Sequence, residues 1–278
     1  MTRAYGLRPG LLATHGCLLL SAALVLFPFL WIAAAAFKTQ IALFTGAVLF
    51  EPFLTNYEEL LLSKGSDYVA NYGNSLVIGI GSTALVLACA TLGAYSLNRL
   101  AWPAWVVHLL LLWSIVFHMI PSITMVGAWY LMFRGVGLYN THVGLILAHL
   151  TLNLPIALWL MTVFVREVPR ELEEAALIDG CTIPQVIWRV IVPLIRPGLM
   201  ATGILVFIHS WNEFVVALNL SARQTATVPV AIAKFAQENE IRYGEMAAGA
   251  MLSIIPAFIF LLIGQRHIVR GLTTGAVK

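Results

Sequence analysis

The chain has 278 residues, 60% of them hydrophobic and 10% charged, with a formal net charge of +3 at pH 7. A mean hydropathy of +0.88 excludes a soluble globular domain of average composition and places the chain in a membrane. The basic residues are scattered among loops, which leaves no nucleic-acid footprint, and Cys17, Cys89 and Cys181 form neither a disulfide framework nor a metal spacing with histidine, so no cofactor or metal is expected.

A bilayer core takes about 20 apolar residues per helix. Six runs meet that length: Leu11 to Phe37, Ser75 to Leu97, Val106 to Val126, Val143 to Val165, Leu199 to Leu220, and Ala247 to Ile263. Arg3, Arg8 and the Ala33 to Ala36 stretch have the features of a cleaved signal peptide, but the first run is far longer than a signal's apolar region, so a retained first span is expected. Pro28, Pro121, Pro155 and Pro256 lie inside spans, where kinks rather than breaks are expected. The fold class is therefore all-α, a polytopic membrane protein with six transmembrane helices in a single domain, 1–278.

With the N-terminus inside, ten of the lysines and arginines fall on cytoplasmic segments and six on the opposite side, spread over longer loops. Both termini are thus expected in the cytoplasm of a multi-pass protein of the plasma (inner) membrane. The first external loop holds Thr55-Asn56-Tyr57-Glu58, a capping-box spacing, followed by an apolar stripe of Tyr57, Leu60 and Leu61 that reads as a short surface helix. Trp129, Tyr130 and Arg134 read as interface anchors. In the fourth span His149 and Asn153 lie at i and i+4, with His142 continuing their line.

Residues 166–197 interrupt the apolar pattern with two short helices joined at a glycine. Pro169 suits a first turn and Glu171, Glu173 and Glu174 favour the positive end of the helix dipole. Leu172, Ala175 and Ala176 form a narrow face of small apolar residues, and Gly180 ends the helix. Thr182 and Gln185 have a second capping-box spacing, Val186, Ile187, Val190 and Ile191 supply an apolar side, and Pro193 closes the second helix. The product is a polar knuckle, cytoplasmic by the basic asymmetry.

The fifth span carries His209, Asn212 and Glu213 at i, i+3 and i+4. Charged groups at mid-bilayer are expensive, so Glu213 is expected to face the bundle or a wet cavity. Two readings stand for these polar groups: helix packing through hydrogen bonds, or a pathway formed with Asn153 at compatible depth. The segment 221–244 is polar, with Pro229, Lys234, Gln237, Glu238 and Glu240, and is long enough to reach a soluble partner from outside.

Glu174-Ala175-Ala176, three residues, Gly180, nine residues, then Val190-Ile191-Val192-Pro193 resembles the EAA motif of ABC importer membrane subunits, with Val190 and Val192 departing conservatively from Ile and Leu. Ser210-Trp211-Asn212-Glu213-Phe214 and the Gly271-Leu272-Thr273-Thr274-Gly275-Ala276-Val277-Lys278 end resemble the carbohydrate-uptake branch, like the second membrane subunit of a maltose importer. The resemblance runs from about Pro28 to the end. It implies a type I importer permease fold in which 166–197 is the coupling loop, 221–244 the external loop probing a binding protein, and 264–278 a cytoplasmic tail. It further implies coupling to ATPase subunits through Glu174, Ala175, Ala176, Asp179, Gly180 and Pro193, with Gly271 and Gly275 in a second contact. The implied substrate pathway passes Asn153, His209, Asn212 and Glu213. The implied partners are a second permease subunit forming a heterodimer, two ATPase subunits, an extracytoplasmic substrate-binding protein, membrane lipid and a carbohydrate carried by alternating access.

No phosphate-binding G-x4-G-K-[ST] loop occurs, so ATP hydrolysis belongs to partners. Glycerol phosphate or a polyol is the alternative cargo. A membrane enzyme is a rival reading, but Glu171, Glu173, Glu174 and Asp179 share one helix and converge on no histidine or nucleophile, so no catalytic residue is assigned. A passive channel would explain the polar spans but not the knuckle.

Overall fold

The computed structural model describes residues 9–236 and 241–274, and every regular element among them is helical. In chain order these are α1 (Pro9–Ala35), α2 (Gln40–Phe44), α3 (Thr55–Leu62), α4 (Tyr68–Arg99), α5 (Ala104–His118), α6 (Ser122–Gly135), α7 (His142–Arg166), α8 (Arg170–Ile178) and α9 (Ile183–Val186). A π-helical turn (Ile187–Ile191) leads into α10 (Val192–Leu194), followed by α11 (Arg196–Trp211), α12 (Val215–Leu220), α13 (Val228–Lys234) and α14 (Tyr243–Thr274). Among the described residues, α1, α4, α7 and α14 each contain a stretch long and apolar enough to cross a bilayer. Two bent pairs pass the same test jointly, α5 with α6 at 94° and the α9–α10 stretch with α11 at 80°. Four spans are thus continuous, and the number is six if each bent pair crosses once.

Two expected spans are corrected here. Val106 to Val126 is broken, not kinked: Met119 donates to Ile115 O at 3.2 Å and closes α5, and Pro121, with no N–H to offer, stands outside both helices as the N-cap of α6. Leu199 to Leu220 is interrupted too, because α11 ends at Trp211 and α12 restarts at Val215. Pro28, Pro155 and Pro256 do lie inside unbroken helices. The expected Thr55 capping box does not form either, since α3 starts one residue earlier than that spacing implies, with Leu54 at its N-cap. Asn56 is instead buried, its side chain donating to Ala36 O at 2.9 Å and Lys38 O at 3.0 Å.

The backbone packs as two compact units, one made of the described residues up to Ser66 with Ile232–Leu252, the other of Asp67–Ala231 with the described residues from Ser253 onward. In the first unit the Asn56 bonds fix α3 to the end of α1, and Lys38 lies over the Trp31 and Phe50 rings at 5.0 and 4.8 Å. Along its membrane-length stretch α1 buries nothing; a helix apolar all round with no packed face is suited to lipid or to another chain.

In the second unit α4 packs along α7, and α11 lies against both. Val86, Ala90 and Ala94 of α4 meet Ala157, Met161 and Val165 of α7 in a continuous core that extends to Val186, Ile191, Ile195 and Val206. Small residues allow the approach, as expected where lipid supplies no hydrophobic drive between helices. One such place is Gly79, where an added Cβ would stand 2.9 Å from the Phe207 ring. At the N-terminal end of α4 the segment after α12 is strapped down. Asn74 donates to Gln224 O and Ala226 O at 3.0 and 3.1 Å, Ser75 Oγ accepts from Val228 N at 2.8 Å, and Asn140 Oδ1 accepts from Ala222 N at 2.8 Å. The expected external loop 221–244 is therefore fixed at its start and helical over Val228–Lys234; Gln237, Glu238 and Glu240 lie outside the described residues.

Phe207 is held between Trp211, 5.7 Å away, and Phe260, 4.1 Å away, so its ring has nowhere to yield. Gly79→Leu should accordingly destabilise the solubilised protein by about 1–3 kcal/mol through overpacking, seen as a lower melting temperature. Gly73→Leu, with nothing within 4 Å of its added Cβ, should melt like the parent; equal melting of both variants would remove Gly79 as a close-packing point.

Candidate functional site

The two helix breaks meet. A cavity of about 710 Å³ is lined by Phe117, His118 and Pro121 from the α5–α6 junction and by His209, Asn212, Glu213 and Phe214 from the α11–α12 junction, among others. Non-helical backbone at membrane depth survives where it is buried in protein or lines such a cavity. At the second break Asn212 N closes α11 on Ile208 O at 3.1 Å, and the Trp211 indole donates to Ser253 O at 3.0 Å. The first N–H groups of α12 are then taken by Glu213: its carboxylate accepts from Val216 N at 2.9 and 3.0 Å and from Ala217 N at 3.0 Å. A carboxylate there satisfies otherwise orphaned donors and complements the helix dipole.

Three of the four residues expected along a pathway, His209, Asn212 and Glu213, line this one cavity. Asn153 does not. It is 1% exposed and donates to His149 O at 2.8 Å and to Ser210 Oγ at 3.2 Å. Ser82 Oγ bonds the same hydroxyl at 3.0 Å, so this network joins α4, α7 and α11. His142 is likewise engaged within the bundle, Nε2 to Asn74 Oδ1 at 2.8 Å. His149 is fully enclosed behind Glu213, Nε2 to Oε2 3.9 Å. Cavity-lining residues that escaped the sequence reading include His118, whose ring centroid is 6.3 Å from that of His209, and Ser122. A histidine three residues before a proline inside an apolar run was the available signal for the first.

The knuckle forms as the residue types dictate. Pro169 is the N-cap of α8, whose first turn holds Glu171 and Glu173. Gly180, at φ +83°, ends it in a Schellman motif: Gly180 N donates to Leu177 O and Cys181 N to Ala176 O, both at 3.0 Å. Thr182 N donates to Gln185 Oε1 at 2.8 Å in the expected capping box. Val186, Ile187 and Ile191 are buried as expected.

Leu172 and Ala175 of the narrow apolar face stay exposed, so that face is open to another surface. Ala176 packs against the core and Glu173 is buried, while Glu174, Ala175, Asp179, Gly180 and Pro193 are exposed. Beside them Ile178 is 86% and Trp188 65% exposed, giving the knuckle an apolar outer surface. Gly271 falls on α14, and Gly275 lies outside the described residues.

Residues 90–274 match the family described as "Binding-protein-dependent transport system inner membrane component". A trehalose transport system permease protein of Mycobacterium tuberculosis is 38% identical over 91% of this chain and 92% of its own length. A trehalose/maltose transport system permease protein of Thermococcus litoralis is 33% identical over 94% of each. Among solved structures, a bacterial ABC transporter involved in importing the acidic polysaccharide alginate has the same fold, with a TM-score of 0.75 at 21% identity, covering 96% of this chain and 100% of that one.

The left-handed backbone at Gly180 disfavours any side chain and a β-branched one most. Gly180→Val should cost about 1–3 kcal/mol, and Gly180→Asn less, because asparagine tolerates this region. Thermal unfolding of the solubilised protein checks the order; equal melting of the three forms would contradict it.

Proposed function

Because the chain belongs to the binding-protein-dependent transport system inner membrane component family, a family of permeases and not of enzymes, we propose that it forms one half of an ATP-driven carbohydrate importer. The cargo in this reading is a neutral sugar of the disaccharide class, in keeping with relatives named for trehalose and maltose transport. The observation that carries the reading is the cavity at the paired helix breaks. Its hydrogen-bonding groups, His118, Ser122, His209, Asn212 and Glu213, stand beside the aromatic faces of Phe117 and Phe214. This is the mixture that replaces sugar hydration while stacking its C–H face. Among the described residues no lysine or arginine lines the cavity, which favours a neutral sugar over glycerol phosphate.

In this reading the cavity is completed by a second permease subunit, and the cargo is delivered by an extracytoplasmic binding protein. Two ATPase subunits grip the knuckle over Glu174, Ala175, Asp179, Gly180 and the exposed Ile178, with Ala176 and Pro193 shaping it and Gly271 and Gly275 near a second contact. Both termini are cytoplasmic. Glu213 acts through α12, holding the cavity wall in shape, and Asn153 holds helices together instead of meeting the sugar.

Orientation is tested in a background with Cys17, Cys89 and Cys181 replaced. A cysteine at Ser63 should react with an impermeant thiol reagent in intact cells and one at Asp179 should not; the reverse pattern inverts the topology.

Transport is tested by uptake of labelled trehalose and maltose per assembled complex. Asn212→Ala should lower uptake about 2- to 10-fold, the equivalent of one lost hydrogen bond, with assembly unchanged. Asn153→Ala should lower assembly while leaving uptake per complex near the parent. Unaltered uptake of both sugars in Asn212→Ala would remove the cavity from the pathway.

A further inference from the structure

Besides its apolar packing on the bundle core, the knuckle is tied to the bundle by a buried ion pair. Arg99, the last residue of α4, donates from Nε to Glu173 Oε1 at 2.5 Å, and the side chains are 9% and 8% exposed. The other end of the same guanidinium donates to Val165 O at 3.1 Å and Val168 O at 2.8 Å, where α7 ends. The tie is reciprocal: Arg170, at the start of α8, donates to Asn98 O at 3.0 Å, and Asn98 Nδ2 reaches Thr162 O at 3.1 Å. Of the acidic residues on α8, Glu173 alone points inward; Glu171 and Glu174 are exposed. The planar guanidinium matches three acceptors at once, which an ammonium on a flexible stem cannot do.

The other end of this connection reaches the cavity. α4 runs unbroken from Tyr68 to Arg99 with no proline, and the 18 residues from Ser82 to Arg99 span about 25 Å of rigid helix. At its far part Ser82 bonds Ser210 and Phe207 packs on Gly79, both on α11, whose last turn and following break place His209 and Asn212 in the cavity wall. A buried ion pair is weak evidence for stability, since apolar replacements of similar volume often serve as well. Its geometric effect is definite: α8 cannot shift relative to α4 without uncovering two charges.

We infer that the Arg99–Glu173 pair is the linkage that carries displacement of the knuckle into α4 and from there into the cavity wall. Arg99 and Glu173 are positioning residues, touching neither cargo nor nucleotide. The inference rests on the proposed reading of the knuckle as the ATPase contact.

The test uses the complex with its cognate partner subunits in lipid nanodiscs, native cysteines replaced, and two reporters. A cysteine at Ile178 reports docking of the knuckle by protection from a thiol-reactive fluorophore, and a cysteine at Asn212 reports the cavity. With the pair intact, trapping with Mg-ATP and vanadate should change the Asn212→Cys labelling rate roughly tenfold, as for a two-state bundle changing its dominant state. The double variant Arg99→Gln, Glu173→Gln leaves no buried charge; it should keep protection at Ile178→Cys and lose most of the change at Asn212→Cys.

A full-sized change in the double variant overturns the linkage while leaving the knuckle reading intact. No protection at Ile178→Cys with the pair intact overturns both. If the double variant does not assemble, Arg99→Lys decides. It keeps the charge without the three-way fork, so a response cut by roughly half or more supports the linkage and an undiminished one overturns it.

Discussion

A helix that stops inside a bilayer leaves backbone N–H or C=O groups facing a medium that cannot hydrogen-bond them, and the second packed unit is arranged around that constraint. The interruption after Trp211 is tolerable because Glu213 turns back onto Val216 and Ala217 and because the break opens onto a cavity instead of lipid. The interruption at Pro121 opens onto the same cavity, so two local failures of helix continuity become one polar recess in an apolar bundle. A carboxylate that caps a helix is also partly neutralised by it, which leaves the recess with hydrogen-bonding capacity and little free charge.

The same constraint explains how the bundle stays together without a hydrophobic drive. α4 offers glycine and alanine where α7 and α11 press closest, and two of its polar side chains bond across the interface, Ser82 to Ser210 and Asn98 to Thr162 O. Contacts of this kind are short and geometrically demanding, so α4 moves with its neighbours or not at all. Its C-terminus is Arg99, buried against Glu173. The helix that organises the core is thus joined to the polar knuckle both by the shared apolar core and by one buried ion pair.

The knuckle itself separates local chemistry from tertiary use. Gly180, Thr182 and Gln185 do what their residue types do anywhere, closing one helix and opening the next. Which face of α8 turns inward is another matter. Leu172, Ala175 and Ala176 make the more apolar stripe, yet Leu172 is 45% exposed and Glu173 only 6%, because Arg99 waits on the inward side. A buried partner more than 70 positions away in the chain overrode local amphipathicity.

The sequence by itself determined the membrane class, the helical character of every described element, the helix–glycine–helix knuckle and its caps, and the EAA pattern on which family membership could be read. Each depends on composition or on residues within one or two turns of each other, where a hydrogen-bonding rule or a steric limit acts with no outside help. Tertiary structure decided the rest. Pro121 breaks a helix while Pro28, Pro155 and Pro256 do not. Asn153 faces Ser210 whereas Asn212 faces the cavity. Glu213 spends its carboxylate on the helix that follows it. In a bilayer a polar residue must find a partner, but the partner's identity is set by which helices lie within hydrogen-bonding reach, and spacing along a single helix carries no record of that.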